Sequence, residues 1–331
     1  MSRRNIVLSS FLFFVSSVLI SCCAYAAGES VQLQREATHI NVVIGGKPFT
    51  TYYFDPKIAK PYLMPLRSAR GTIITRGFPI GNKVPPENEH NPNLEPHQRP
   101  MYFGHGDVDG VDFWGEAIYP KWSDDTVFGR TVLAKIEEAK GGADSGTIRA
   151  LFHLVGPRGR ILADETQAFV FRGGTETRMI DCEFTITANH GADVVMGDTK
   201  EGSFALRLTK ALHVPPGNMV NSNGNVGKDV WGKRANWVDY YGKVGGEEVG
   251  VAIFDSPKSF RHPTYWHARG YGLFAANPFG IREFTGDFNN DGSWTIPQGK
   301  SLTLRYRVLI HHGNDKQAHV AETYQEYAAG Q

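Results

Sequence analysis

Apolar and polar side chains alternate at every second position along much of the chain, and this period limits the fold more than any other feature. It recurs over His39 to Ile44, Phe49 to Phe54, Thr126 to Ile136, Thr147 to Val155, Ala168 to Phe171, Arg178 to Ile186, Phe204 to Leu208 and Leu302 to Ile310. A period of two sends successive side chains to opposite faces, so each run describes a strand with one buried side. In the last run Leu302, Leu304, Tyr306, Val308 and Ile310 share one face, and Thr303, Arg305 and Arg307 share the other. Only the carboxyl-terminal stretch has helical spacing: Asn314 to Ala329 sets Val320, Tyr324 and Tyr327 among polar residues, with Asn314 and Asp315 as the cap. The 37 Gly and 18 Pro are spread through the chain as turn residues. An all-β chain of antiparallel strands with a short C-terminal helix follows.

The amino terminus reads as an address and is set apart from the fold. Arg3 and Arg4 precede the apolar run Ile6 to Ile20 and then small residues at Ser21, Ala24, Ala26 and Ala27, the order of a secretory signal over residues 1–26. Ala24-Tyr25-Ala26 suits an ordinary signal peptidase, and we favour simple export. Leu19-Ile20-Ser21-Cys22 also resembles a lipobox, which places a lipid anchor on Cys22 as the competing outcome. The apolar run is too short for the ~20 residues of a bilayer span, so no transmembrane segment is expected. The location that follows is periplasmic or extracellular.

Residues 27–331 contain no repeat, linker or abrupt charge shift, and we read them as a single β-sandwich domain. The chain has 35 Lys+Arg against 34 Asp+Glu, and losing Arg3 and Arg4 leaves 33 against 34. So even a balance, without a basic cluster, gives no electrostatic ground for a nucleic-acid partner. With Cys22 and Cys23 in the signal, Cys182 stands alone, and its place beside Ile180, Phe184 and Ile186 on one strand face marks a buried thiol.

Chemistry concentrates in three long turn-rich segments, Gly77 to Pro100, Pro215 to Arg234 and Phe254 to Phe279, and in what adjoins them. His90, His97, Arg99, His105, Asp107, Trp114 and Glu116 crowd into one stretch. With Met101 to Gly106 as a strand, His105 and Asp107 project to the same side, an imidazole and a carboxylate suited to acid-base work. A second stretch interleaves Arg261, His262, Trp266, His267, Arg269, Tyr271 and Asn277. Rings covering the apolar faces of a sugar, with planar donors fixing its hydroxyls, have this composition. Asp287 to Ser293 copies half of a calcium loop but carries Gln298 where a glutamate belongs, so it reads as a hairpin turn. His311 reads as a polar strand end that could also point into the site.

The same residues carry a family resemblance. Pro61 to Leu66, Pro96-His97-Gln98-Arg99, Gly104-His105-Gly106-Asp107-Val108-Asp109-Gly110, Asp112 to Glu116, His262-Pro263-Thr264, Trp266-His267 and Asn277 to Gly280 together resemble the bacterial PmoA-like family, a domain of unknown function labelled methane oxygenase PmoA. The family usually shows two adjacent His before the Arg, where this chain has His97-Gln98. The methane label does not suit a chain whose one membrane-like stretch is its signal. The resemblance implies a β-supersandwich of the galactose-mutarotase type and an association with carbohydrate breakdown.

An exported enzyme acting on a sugar or glycoside by hydrolysis, elimination or epimerisation is therefore expected. His97, His105 and His267 are the proton-transfer candidates, Asp107 and Glu116 orient or assist, and Arg99, Trp114, Trp266, Arg269, Tyr271 and Asn277 bind substrate. A non-catalytic carbohydrate-binding protein, with Trp231, Trp266 and Tyr271 as the platform, is the alternative. No cofactor is required, although His97, His105 and Asp107 could serve a divalent metal. Both His-rich segments are expected to meet at one concave site.

Overall fold

A computed structural model describes residues 28–77, 95, 97–116 and 125–331; the signal-like residues 1–26, Cys22, His90 and most of 77–100 lie outside them. In chain order the strands are β1 (Val31–Arg35), β2 (His39–Ile44), β3 (Lys47–Tyr53), β4 (Tyr62–Met64), β5 (Met101–His105), β6 (Arg130–Lys140), β7 (Gly146–Val155), β8 (Ile161–Gly173), β9 (Arg178–Thr187) and β10 (Val194–Met196). There follow β11 (Gly202–Arg207), β12 (Asn218–Asn221), β13 (Trp237–Val244), β14 (Glu247–Asp255), β15 (Tyr265–Ala268), β16 (Leu273–Asn277), helix α1 (Ile281–Thr285), β17 (Trp294–Ile296), β18 (Ser301–His312) and helix α2 (Val320–Ala329).

These form two eight-stranded antiparallel sheets, as the alternation predicts. The first runs β1-β2-β3-β4-β5-β11-β16-β15 and the second β12-β13-β14-β18-β9-β8-β7-β6, with β10 and β17 as a small separate ribbon. The inner faces share one continuous apolar cluster. Aromatic pairs bridge it: Phe103 stacks on Phe184 at 4.5 Å, Phe204 on Tyr306 at 5.1 Å, and Tyr52 meets Phe169 edge-on at 5.3 Å. Each such ring adds roughly 1.5–3 kcal/mol by leaving water. The Tyr52 hydroxyl donates across the gap to Gln167 Oε1 at 2.8 Å, so the core's polar tip is satisfied. Cys182, Ile180, Phe184 and Ile186 all lie buried on β9, as expected.

Three expectations are corrected. Phe254 to Phe279 contains β15 and β16 and is no loop; β16 is buried on both faces, so its sequence never alternates. Pro215 to Arg234 likewise contains β12. The terminal helix starts at Val320, because Asn314 Oδ1 accepts the Lys316 and Gln317 N–H groups in a separate turn and His319, at φ +51°, interrupts the chain before the helix. Helix α1, at five residues, is too short to show a period. α2 lays Val320, Tyr324 and Tyr327 on the outer face of the second sheet against Phe254 and Leu309. The Asp287 to Ser293 turn is closed by its own aspartates, Asp287 Oδ1 accepting from Asn289 and Asp291 Oδ1 from Ser293. No helix among the described residues is long and apolar enough to cross a membrane.

Candidate functional site

On β5, β11, β16 and β15, Phe103, Phe204, Ala276 and Trp266 face the inter-sheet core, so their neighbours face outward. The outward set Tyr62, Tyr102, Trp114, Ala205, Leu273 and Ala275 forms its own buried cluster. That outer face collects the polar chemistry. Segment 112–116 crosses directly over β5, which is why residue 104 must be glycine: a Cβ there would lie 2.7 Å from the Phe113 carbonyl oxygen. Gly106 answers a similar approach, its Cβ position lying 2.9 Å from Glu201 Cβ.

At one end of this face Arg99 grips Glu116 with both arms of its guanidinium, Nε to Oε1 at 2.8 Å and Nη2 to Oε2. Lys60 Nζ stands 3.3 Å from Glu116 Oε1, donates to the Trp114 carbonyl, and lies 5.0 Å from the Tyr102 ring centre. All three charges are buried. Burial pulls the Lys60 ammonium down to about 8 even with Glu116 beside it. Glu116 is thereby fully engaged as a counter-ion, and Arg99 with it, so neither is placed for proton transfer or substrate capture. His97 packs 6.5 Å from Trp114. Burial first, and then the fields of Lys60, Arg76, Arg99 and Arg207, hold its imidazole down to about 2. It stays neutral at any physiological pH and cannot act as a general acid.

Further along the same face the surface opens. Tyr271 is 39% exposed, with the Arg207 guanidinium over its ring at 4.7 Å. Burial of the phenol and the nearby Glu95 push its hydroxyl up to about 12. Arg269 stacks on Trp231 at 4.8 Å. Glu201 lies near Tyr102, where burial and then the Glu201 charge push the phenol up, and its side chain is 26% exposed and 3.6 Å from Lys200 Nζ. Desolvation raises its carboxyl to about 7, against the lowering pull of Lys200.

The remaining predicted residues do a different task. His105 Nε2 lies 2.9 Å from the Gly197 carbonyl, His267 Nδ1 lies 2.9 Å from the Lys200 carbonyl, and Asn277 Nδ2 donates to the Thr199 carbonyl at 2.8 Å. A carbonyl only accepts, so His105 carries its proton on Nε2 and His267 on Nδ1. Gly106 N–H adds a bond to the Glu201 carbonyl at 2.7 Å. Side chains from three strands thus pin the segment Gly197 to Glu201, the segment that presents Glu201. Burial lowers both imidazoles to about 4, and they are neutral hydrogen-bonding groups at pH 7.

Several expectations therefore fail. His105 and His267 lie on opposite faces of the first sheet, by the alternation of their strands, and do not meet across one cavity. Asp107 does not orient His105; its Oδ1 accepts the Gly110 N–H at 2.9 Å in a local turn. Nor do His97, His105 and Asp107 gather as metal ligands, since His97 sits among cations on the outer face. Trp266 is wholly buried, its indole N–H donating to the Ala235 carbonyl at 2.9 Å, because its neighbours in sequence are polar but its strand faces the core. His311 is buried against Asp239, 3.1 Å away, in the second sheet. What the structure does bring together on one face is His97, Arg99, Trp114, Glu116, Tyr271, Arg269 and His267. Sequence reasoning missed Lys60, Arg76, Arg207 and Glu201. The charged turn Asp198-Thr-Lys-Glu201 directly ahead of the strand read at Phe204 to Leu208 was the available signal for the last.

Solved structures with a similar fold include a galactose mutarotase-like protein from Clostridium acetobutylicum, 10% identical, with 86% of this chain and 99% of that one covered at a TM-score of 0.40. An α-galactosidase from Lactobacillus brevis is 9% identical at a TM-score of 0.37, covering 87% of this chain, which spans 40% of the enzyme's length. A polysaccharide lyase is 11% identical at 0.29, covering 88% of this chain and 33% of that one. No curated protein matches the chain. Residues 39–325 match the family described as a family of unknown function, DUF6807, and the chain belongs to that family.

Proposed function

We propose that the outer face of the first sheet binds a carbohydrate and that Glu201 is the group that moves a proton on it. The observation that carries this reading is a partly buried carboxyl lifted to about 7 and held by a pinned segment, on a molecule whose outer face also carries an exposed, cation-backed tyrosine ring. A carboxyl with that value is part protonated near neutrality, so it can give a proton to a leaving oxygen or take one from a sugar carbon or hydroxyl. Tyr271 offers a ring for stacking on a pyranose face, and Arg269 and Lys200 offer donors to hydroxyl or carboxylate substituents. His105, His267 and Asn277 are positioning residues for Glu201. Glycoside hydrolysis, elimination and epimerisation all fit one such group with a partner supplied by substrate or water. The signal-like residues 1–26 support an exported site of action.

The test is a screen of purified protein against glycans and their oxidised derivatives, followed by Glu201→Gln. Turnover is expected to fall ~100-fold or more with glycan affinity retained, and the pH limb near 7 to vanish. Unchanged turnover in Glu201→Gln overturns the assignment. A second reading, a non-catalytic carbohydrate-binding protein, is favoured by one observation: all three predicted catalytic imidazoles are held neutral. Ligand binding that Tyr271→Ala weakens, without turnover of any glycan bound, would establish it.

A further inference from the structure

On the far side of the molecule, the outer face of the second sheet carries a cluster that the carbohydrate reading does not use. Ile148, Ala150, Phe152 and Leu154 of β7 face the core, so His153 faces out. Its cross-strand partner on β8 is Asp164, and Asp164 pairs on its other side with Thr187 at the end of β9, three residues before His190. His153 Nδ1 and His190 Nε2 aim at the same carboxylate oxygen, Asp164 Oδ1, at 2.7 and 2.8 Å. The three ligand atoms lie within 4.8 Å of one another. Asn189 Nδ2 holds the other oxygen, Oδ2, at 2.6 Å, which turns Oδ1 toward the rings. Among the described residues Asp164 has no lysine or arginine partner; its ion pairs are with these imidazoles.

We propose that His153, Asp164 and His190 bind one divalent transition-metal ion, of which zinc suits the donor set best. Two neutral imidazoles and a carboxylate are typical zinc ligands, with bonds of about 2.0–2.2 Å. Donors on one tetrahedral ion of that bond length stand roughly 3.3 Å apart. Oδ1 and each imidazole nitrogen therefore need to separate by about half an ångström and the two nitrogens, now within 4.8 Å, to draw in toward roughly 3.3 Å. The ion takes the place of the two N–H protons, each of which moves to the other nitrogen of its ring. Three protein ligands leave the fourth position to water, and the side chains are 32%, 14% and 28% exposed, so an ion can reach them. Asn189 is the outer-shell partner that orients the carboxylate. The site is independent of the carbohydrate reading and lies on the other sheet.

The test titrates zinc chloride, by calorimetry, into full-length protein prepared without an affinity tag and stripped with chelator. One ion per chain is expected, with a rise in Tm. His190→Ala, in an exposed turn outside the strands, should keep the wild-type circular dichroism and weaken affinity about 100-fold or more. Asn189→Ala should keep the stoichiometry and weaken affinity by roughly 10–100-fold, the cost of losing an outer-shell partner. Cobalt substitution should give the visible spectrum of a four-coordinate nitrogen and oxygen site in the parent alone. Binding of less than half an equivalent, or equal affinity in parent and His190→Ala, overturns the proposal.

Discussion

Replacing His105 by leucine separates two accounts of this residue, one as the imidazole of a His–Asp pair and one as a buried clamp. Leucine fills similar space but leaves the Gly197 carbonyl without its donor, and an orphaned buried acceptor costs about 1–3 kcal/mol. That is the destabilisation expected at pH 8. The pH dependence is the sharper measurement. His105 is held at about 4 in the folded chain against 6.5 when solvated, so the unfolded chain takes the proton first. Its contribution is complete above about pH 6.5 and is lost as pH falls through 4, a loss on the order of 3 kcal/mol when fully expressed. The leucine variant lacks that titration. The stability gap between parent and variant, read from urea unfolding followed by circular dichroism between pH 8 and 4, should therefore narrow on acidification and close or reverse by pH 4. A gap that stays constant refutes the reasoning. In a double-mutant cycle with Asp107→Asn the coupling should stay below about 0.5 kcal/mol, and a value above about 1 kcal/mol would restore the His–Asp pair.

Two other substitutions probe the outer face. Gly104→Ala should destabilise by about 1–3 kcal/mol, since the obstacle is the Phe113 backbone and cannot swing aside; an unchanged urea midpoint would mean that segment 112–116 does not cross β5 so closely. Glu116→Gln removes the carboxylate charge that buried Arg99 and Lys60 share and should cost roughly 3–5 kcal/mol, visible as a lower Tm, whereas a neutral result would mean the cluster is hydrated.

The strands with one wet face were legible because alternation records a difference between two environments. β7, β9 and β18 present it almost without interruption. β5 and β16 face the core on one side and the covered outer cluster on the other, so both sets of positions are apolar or small and no period survives, whereas β11 keeps its alternation over Phe204 to Leu208 and is nonetheless buried on both faces. Trp266 was misplaced for that reason: polar neighbours in sequence did not mean a wet face. The site was half legible. Residue types located the right segments, but whether His105 served chemistry or held a carbonyl depended on the fold of residues 197–201, about 100 positions away. For Glu201 the sequence offered only a charged turn ahead of a strand, and its burial near Tyr102 and Lys200 is what sets it apart.

The pairing of β5 with β11 also sets a timetable for synthesis. Ser203 and His105, neighbours across that pair, are 98 residues apart in the chain. At ~5–20 residues per second a ribosome needs roughly 5–20 s to supply β11 after β5 has been made. During that interval Met101–His105, a stretch with no charged side chain, waits with one edge unpaired. Chains ending before Gly202 are left in that state permanently. Fragments cut there should be recovered as aggregates, while the full chain closes its own edge as soon as its middle third is complete.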